Sequence, residues 1–173
     1  PSFILMQELN ALASTEGDTL LRTSTGYVVA DSYHRHRWHA SAQGMRSPFQ
    51  SFNIDKSLKA ACDLDLKYYD RLGIFPQSLR LVHGTQACSN FRPGCALYVY
   101  RKYSKPGGVI LDTSTGYGGR LVGFLASEGH KYVGFDPNTV THAANTKLAQ
   151  DLAGTKEVCL NNLPIEDAKI EDF

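Results

Sequence analysis

Two aspartates and a cluster of glycines hold the densest chemistry in the sequence. Asp112 follows the apolar run Val109-Ile110-Leu111, Asp136 follows Tyr132-Val133-Gly134-Phe135, and Gly116, Gly118 and Gly119 lie between. An apolar run this short and β-branched reads as a buried parallel strand. The glycines read as a tight turn whose main chain a ligand can touch. Leu121, Val122, Phe124 and Leu125 then repeat at helical spacing from Arg120 to Ser127, and Lys131–Phe135 reads as a second strand, closed by Pro137. The predicted unit is strand, loop, helix, strand, with an acid at the carboxyl tip of each strand. Such a crevice suits a polar, nucleoside-like ligand. A dinucleotide fingerprint beginning at Gly116 would need glycine at 121, where the chain has Leu, and Asp112 would repel a pyrophosphate. A ligand with a ribose and a cationic amino-acid end fits better: Asp136 would accept the two ribose hydroxyls, and Asp112 would face the positive charge.

The stretch resembles the AdoMet-dependent DNA amino-methyltransferases, the adenine-N6 and cytosine-N4 enzymes whose first motif runs D-P-S-A-G-x-G-G-R-L. Asp112, Ser114, Gly116, Gly118, Gly119, Arg120 and Leu121 match it, with Thr113 and Thr115 in place of proline and alanine. Asp136, Pro137 and Asn138 match the second motif. The resemblance implies a Rossmann-like α/β fold, mainly parallel, binding S-adenosyl-L-methionine. It also implies that Asn90, Phe91, Arg92 and Pro93 flank the methionine end, Arg92 as partner for a carboxylate, and that Glu166 or Asp167 approaches the adenine amino group. The family's base-gripping loop, D-P-P-Y or N-P-P-Y, has no match, since no Pro-Pro pair occurs. The resemblance therefore covers the cofactor half and offers no catalytic residue. It implies a front part whose catalytic loop comes from a further segment or subunit, or a non-catalytic binding subunit. A methyltransferase for RNA or a small molecule on the same cofactor fold is the other reading. No cysteine stands in a Pro-Cys context, which disfavours cytosine-C5 chemistry.

The supporting elements follow in chain order. Residues 1–14 carry Phe3, Ile4, Leu5, Leu9 and Leu12 at a spacing that suits an amphipathic helix, although Ile4-Leu5-Met6 could equally begin a strand. Residues 19–30, with Tyr27-Val28-Val29, read as a strand or hairpin arm. Thr23–Tyr27 repeats the TSTGY of 113–117, a coincidence, since the first copy has neither the preceding acid-tipped strand nor the glycine pair. Tyr33–His39, YHRHRWH, supports two readings: a nucleic-acid contact through Arg35, Arg37 and Trp38, or a solvated loop or edge strand with Trp38 in the core. Its histidines lack the carboxylates that would argue for metal. Ala40–Phe52 reads as a loop. A helix is predicted from about Lys56 to Leu72, capped by Asn53 or Asp55 and closed by Gly73, with Leu58, Cys62, Leu66 and Tyr69 inward. Leu79–Val82 reads as a strand. Pro93 opens a helix capped by Ser89 or Asn90. Val140, Ala143, Ala144, Leu148 and Leu152 predict a helix over 139–154, and Glu157–Leu160 a third strand.

The expected organisation is an α+β accessory segment over 1–86 and an AdoMet-binding domain over 87–173. The 173 residues carry a formal net charge of +1, so a nucleic-acid partner, DNA by the resemblance, requires local clustering of basic residues. No run approaches the roughly 18 apolar residues of a membrane helix and no signal pattern opens the sequence, which together predict a cytoplasmic protein without a membrane partner. Cys62, Cys88, Cys95 and Cys159 are too scattered for zinc or a disulfide framework and read as reduced, mostly buried thiols. The first residue, Pro1, points to processing or to a boundary inside a longer product.

Overall fold

The computed structural model describes residues 3–41, 44–69 and 75–169, with main chain only for 68–69 and 75–77. Its elements are α1 (Phe3–Ala13), α2 (Thr19–Arg22), α3 (Tyr27–Tyr33), a 3-10 turn (Arg35–His39), α4 (Pro48–Phe52), α5 (Asp55–Tyr69), α6 (Phe75–Leu81) and α7 (Pro93–Tyr103). They continue with β1 (Val109–Asp112), α8 (Gly119–Leu125), β2 (Lys131–Phe135), α9 (Thr139–Leu152), β3 (Glu157–Asn161) and a 3-10 turn at Ile165–Asp167. The chain divides into two compact units, Pro1–His34 with Asn90–Phe173, and Arg35–Ser89. No helix among the described residues is long and apolar enough to cross a membrane.

The first unit is mixed α/β around a three-stranded parallel sheet of order β1-β2-β3. Val109 pairs with Lys131 and Asp112 with Gly134, while Lys131 pairs with Glu157 and Phe135 with Asn161. Both crossovers join neighbouring parallel strands, and the preference of such connections for one hand places α8 and α9 on one face of the sheet. On that face Ile110 and Tyr132 join Leu121, Val122, Phe124 and Leu148 in one core. On the other face of β1, Val109 and Leu111 are exposed. The same core holds Leu9 and Leu12 of α1, Leu20 of α2, and Val29 and Ala30 of α3. Residues 1–34 therefore belong with the sheet, and the unit boundary falls after His34 rather than at residue 86. Arg101 ties the layers by donating to the carbonyls of Ala13 and Thr15.

Tyr27-Val28-Val29, expected as a strand, is helical. Gly26, at φ +92°, starts α3, its amide bonded to the Glu8 carboxylate, and burial of Val29 and Ala30 against the core outweighs the modest helix penalty of valine.

The second unit is built of helices, with Arg46 and Thr85 forming an isolated parallel bridge. Leu79–Val82 falls mostly within α6, not a strand, and Leu79 and Val82 pack with Ala61 of α5. Part of the expected loop is α4, whose Ser47 and Gln50 form a reciprocal capping box with Pro48 at the first turn. Asn53 closes α4 instead of opening α5; its side chain donates to the Phe49 carbonyl. The buried stripe of α5 runs through Ser57, Ala61 and Asp65, one position away from the expected Leu58–Cys62–Leu66, and Leu66 is 55% exposed. Asp65 goes inward because it accepts a buried hydrogen bond from Ser78. The Tyr69 side chain, Leu72 and the Gly73 cap lie outside the described residues. The four cysteines are free and half-buried.

Candidate functional site

Asp112 is the last residue of β1 and is buried. Its Oδ1 accepts the Ser114 amide at 3.1 Å; Oδ2 accepts Arg120 Nε at 2.8 Å and the Tyr132 hydroxyl. The ion pair spans the turn from β1 into α8 and fixes its two ends. Burial works against the Arg120 charge, but the hydrogen bond and the charge of Asp112 outweigh it and hold the guanidinium pKa above its ordinary value. Burial, then the Asp112 charge, pushes the Tyr132 phenol well up, so it stays a donor. The Asp112 charge, expected to face a cationic ligand, is thus already matched by Arg120.

Asp136 sits just past β2. Its Oδ2 accepts the Gly116 amide at 2.8 Å and its Oδ1 the Asn138 amide at 2.9 Å. A carboxylate has about four lone-pair sites, so two remain here. The main chain around it is held from the third strand: the Asp136 amide donates to the Asn161 carbonyl, and Asn162 Nδ2 donates to the Asp136 carbonyl at 2.9 Å. Asn138 caps α9 by accepting the Thr141 amide, and Pro137 is exposed.

The loop between the acids is packed from beneath. Gly118, at φ +76°, opens α8, and a Cβ there would stand 2.8 Å from both Asn145 Oδ1 and His34 Cε1. At Gly119 it would lie 2.0 Å from the Phe91 carbonyl oxygen. Asn90 holds the loop on that side: its Nδ2 donates to the Tyr117 carbonyl at 2.8 Å and its Oδ1 accepts the Gly119 amide at 3.2 Å. Asn145 Nδ2 donates to the Gly116 carbonyl at 2.8 Å, and buried His34 meets the Tyr117 ring edge-on. Phe91, 44% exposed, lies under the Arg120 guanidinium at 5.2 Å.

The structure therefore gathers Asn90, Phe91, Asp112, Ser114, Gly116, Gly118, Gly119, Arg120, Asp136 and Asn138 around one loop at the carboxyl ends of β1 and β2. Arg92 is committed elsewhere, donating to the Leu21 carbonyl, and it precedes α7 without a side-chain cap, so Asn90 serves the loop rather than the helix. Pro93 is buried at the first turn of α7. Glu166 and Asp167 are exposed on the last 3-10 turn, and neither makes a hydrogen bond or ion pair with the loop among the described residues. His34, Tyr132, Asn145 and Asn162 are supporting residues that sequence reasoning missed. Only Tyr132, a phenol opening the run Tyr132-Val133-Gly134-Phe135, carried a legible sign of needing a partner.

Arg35, Arg37 and Trp38 belong to the second unit. Arg35 is exposed, but Arg37 is 4% exposed, its guanidinium 5.5 Å from the Trp38 ring centre, so it is part of the packing and not an open phosphate contact. Among the described residues no three His, Cys, Asp or Glu side chains converge as metal ligands. No protein-family model, curated protein or solved structure matches the chain.

Proposed function

We propose that the unit built on β1–β3 is the S-adenosyl-L-methionine-binding part of a methyltransferase acting on an exocyclic amino group of a DNA base, with a Rossmann-like methyltransferase fold. The observation that carries the reading is Asp136. Its carboxylate stands at the tip of β2 with two lone-pair sites on backbone amides and two left, a match for a ribose diol, beside a loop whose packing admits only glycine at 118 and 119. In this reading the main chain of Gly116–Gly119 lines the ligand, Phe91 gives it an apolar wall, and Asp112, Arg120 and Tyr132 hold the loop rigid. When bound, S-adenosyl-L-methionine supplies an electrophilic methyl for direct transfer to an amine. The chain's own task is then orientation and charge placement, with no covalent nucleophile required. The loop that grips the base comes from a further segment or subunit.

Calorimetry tests the reading. S-adenosyl-L-methionine should bind, and Asp136→Asn should weaken it by roughly 1.5–3 kcal/mol, the range for a charged hydrogen-bond acceptor. Equal affinity for NAD would refute the assignment. These residues alone should show no methyl transfer to duplex DNA, and turnover would show that the base-gripping function lies within this chain.

A further inference from the structure

The charge of the chain is unevenly divided. Residues 35–89 hold eight of its 18 lysines and arginines but four of its 17 aspartates and glutamates, a net +4; the remainder, with ten basic and thirteen acidic residues, is at −3. A near-neutral total thus conceals a basic unit, the local clustering that a polyanionic partner requires.

The same unit exposes aromatic rings. His39 stacks on Phe49 with ring centres 4.2 Å apart and planes inclined by 34°. His39 is exposed, Phe49 is 49% exposed, and Phe52, one turn further along α4, is 48% exposed. Exposed Arg35 opens the 3-10 turn that His39 closes. The YHRHRWH run therefore sorts by burial: Arg37 is buried and Trp38 half-buried, while Arg35 and His39 are exposed, His39 against the Phe49 ring of α4. Exposed aromatic faces within a unit of net positive charge suit a ligand with flat apolar faces strung on phosphates.

We propose that the Arg35–Ser89 unit binds unpaired nucleic acid, stacking a base on the His39–Phe49 pair and holding phosphates with its basic residues, Arg35 among them. Bases inside a duplex do not offer their faces, so the ligand is a single strand or an opened site. The proposal is independent of the cofactor reading, since no residue of the glycine loop belongs to this surface.

Anisotropy of a labelled oligothymidylate and of an abasic deoxyribose-phosphate oligomer of equal length, measured with the full chain at low salt, separates stacking from charge. One stacked base should favour the oligothymidylate by about fivefold or more. Phe49→Ala with His39→Ala should abolish that preference, and Phe49→Leu, which keeps apolar packing but removes the ring, should reduce it if the double variant fails to fold. Arg35→Ala should weaken both oligomers alike and lower the salt slope by about one. Equal wild-type affinity for the two oligomers, or an unchanged preference in a folded Phe49 variant, would overturn the proposal. So would tighter binding to phosphatidylserine vesicles or to polyglutamate than to oligothymidylate, which would assign the surface to a membrane or an acidic protein. Absence of S-adenosyl-L-methionine binding would leave each of these outcomes readable.

Discussion

Gly116 and Gly118 share a backbone problem and differ in their surroundings, which makes them a controlled pair. Both have positive φ, +56° and +76°, so alanine at either position costs about 1–2 kcal/mol in the left-handed region. At Gly116 the nearest atom to a new Cβ is the Ser114 carbonyl oxygen at 3.7 Å, an ordinary contact. At Gly118 the Cβ meets Asn145 Oδ1 and His34 Cε1 at 2.8 Å and Leu148 Cδ1 at 3.4 Å, all on buried side chains with little room to retreat. Overpacking of this kind adds about 1–3 kcal/mol. The expected totals are about 1–2 kcal/mol for Gly116→Ala and about 2–5 kcal/mol for Gly118→Ala. At about 2–4 °C per kcal/mol for a chain of this size, the melting temperature should fall by about 2–8 °C and about 4–20 °C respectively. Scanning calorimetry reads both. Adding Asn145→Ala removes one of the two closest contacts, so Gly118→Ala with Asn145→Ala should cost less than the sum of the single changes, by about 0.5–3 kcal/mol. Equal melting temperatures for the two glycine variants, or strict additivity with Asn145→Ala, would refute the packing argument.

Removing either side-chain donor to Asp112 should destabilise the first unit in a fixed order, read by urea unfolding. Arg120→Met strips the ion-pair partner from a buried carboxylate and should cost about 3–5 kcal/mol, whereas Tyr132→Phe removes one hydrogen bond and should cost about 1–3 kcal/mol. The alkaline limb of stability should depend on Tyr33, whose pKa is pushed up to about 12 by burial and by its hydrogen bond to Asp151. A folded-state pKa above the unfolded value of 10.0 means that this contribution is complete below pH 10 and is lost as pH rises toward about 12. Over that window the wild type should lose stability relative to Tyr33→Phe, and parallel pH profiles for the two would contradict the link.

The parallel unit was legible because its signals are local and mutually consistent. Val109-Ile110-Leu111 is too short and β-branched for a helix, Gly118 and Gly119 leave a backbone position that only glycine fills, and Asn138 caps the helix that carries Leu148 and Leu152. The strands and α9 accordingly fall within a residue or two of expectation. The errors lie where distant packing decides. Tyr27-Val28-Val29 has strand composition, yet helical spacing lets Val29 and Ala30 reach a core that also holds Leu97 and Leu121. Arg37 reads as a surface cation beside Arg35, and nothing in a basic run tells which arginine turns inward. On α5 the leucine stripe predicted the wrong inner face because Asp65 has a buried partner in Ser78, thirteen residues away. The Ser47–Gln50 capping box, by contrast, was visible at its usual spacing and should have recovered α4. At the candidate site the two acids and the glycines could be found from spacing alone. Their supports, Asn90, His34, Asn145 and Asn162, come from four separate elements or loops that only the fold brings together.

The central claim is that the carboxyl ends of β1 and β2 hold S-adenosyl-L-methionine against Asp136 and the glycine loop. Titrating S-adenosyl-L-methionine into the isotopically labelled protein while following its amide resonances tests this most directly. The amide of Gly116 donates to Asp136 Oδ2 and that of Asn138 to Oδ1, so a ligand on this carboxylate must perturb both. Saturable shifts at Gly116, Gly118, Gly119 and Asn138, weakened in Asp136→Asn, are the predicted result. Unchanged amides at these four positions, or shifts confined to Arg35–Ser89, would contradict it.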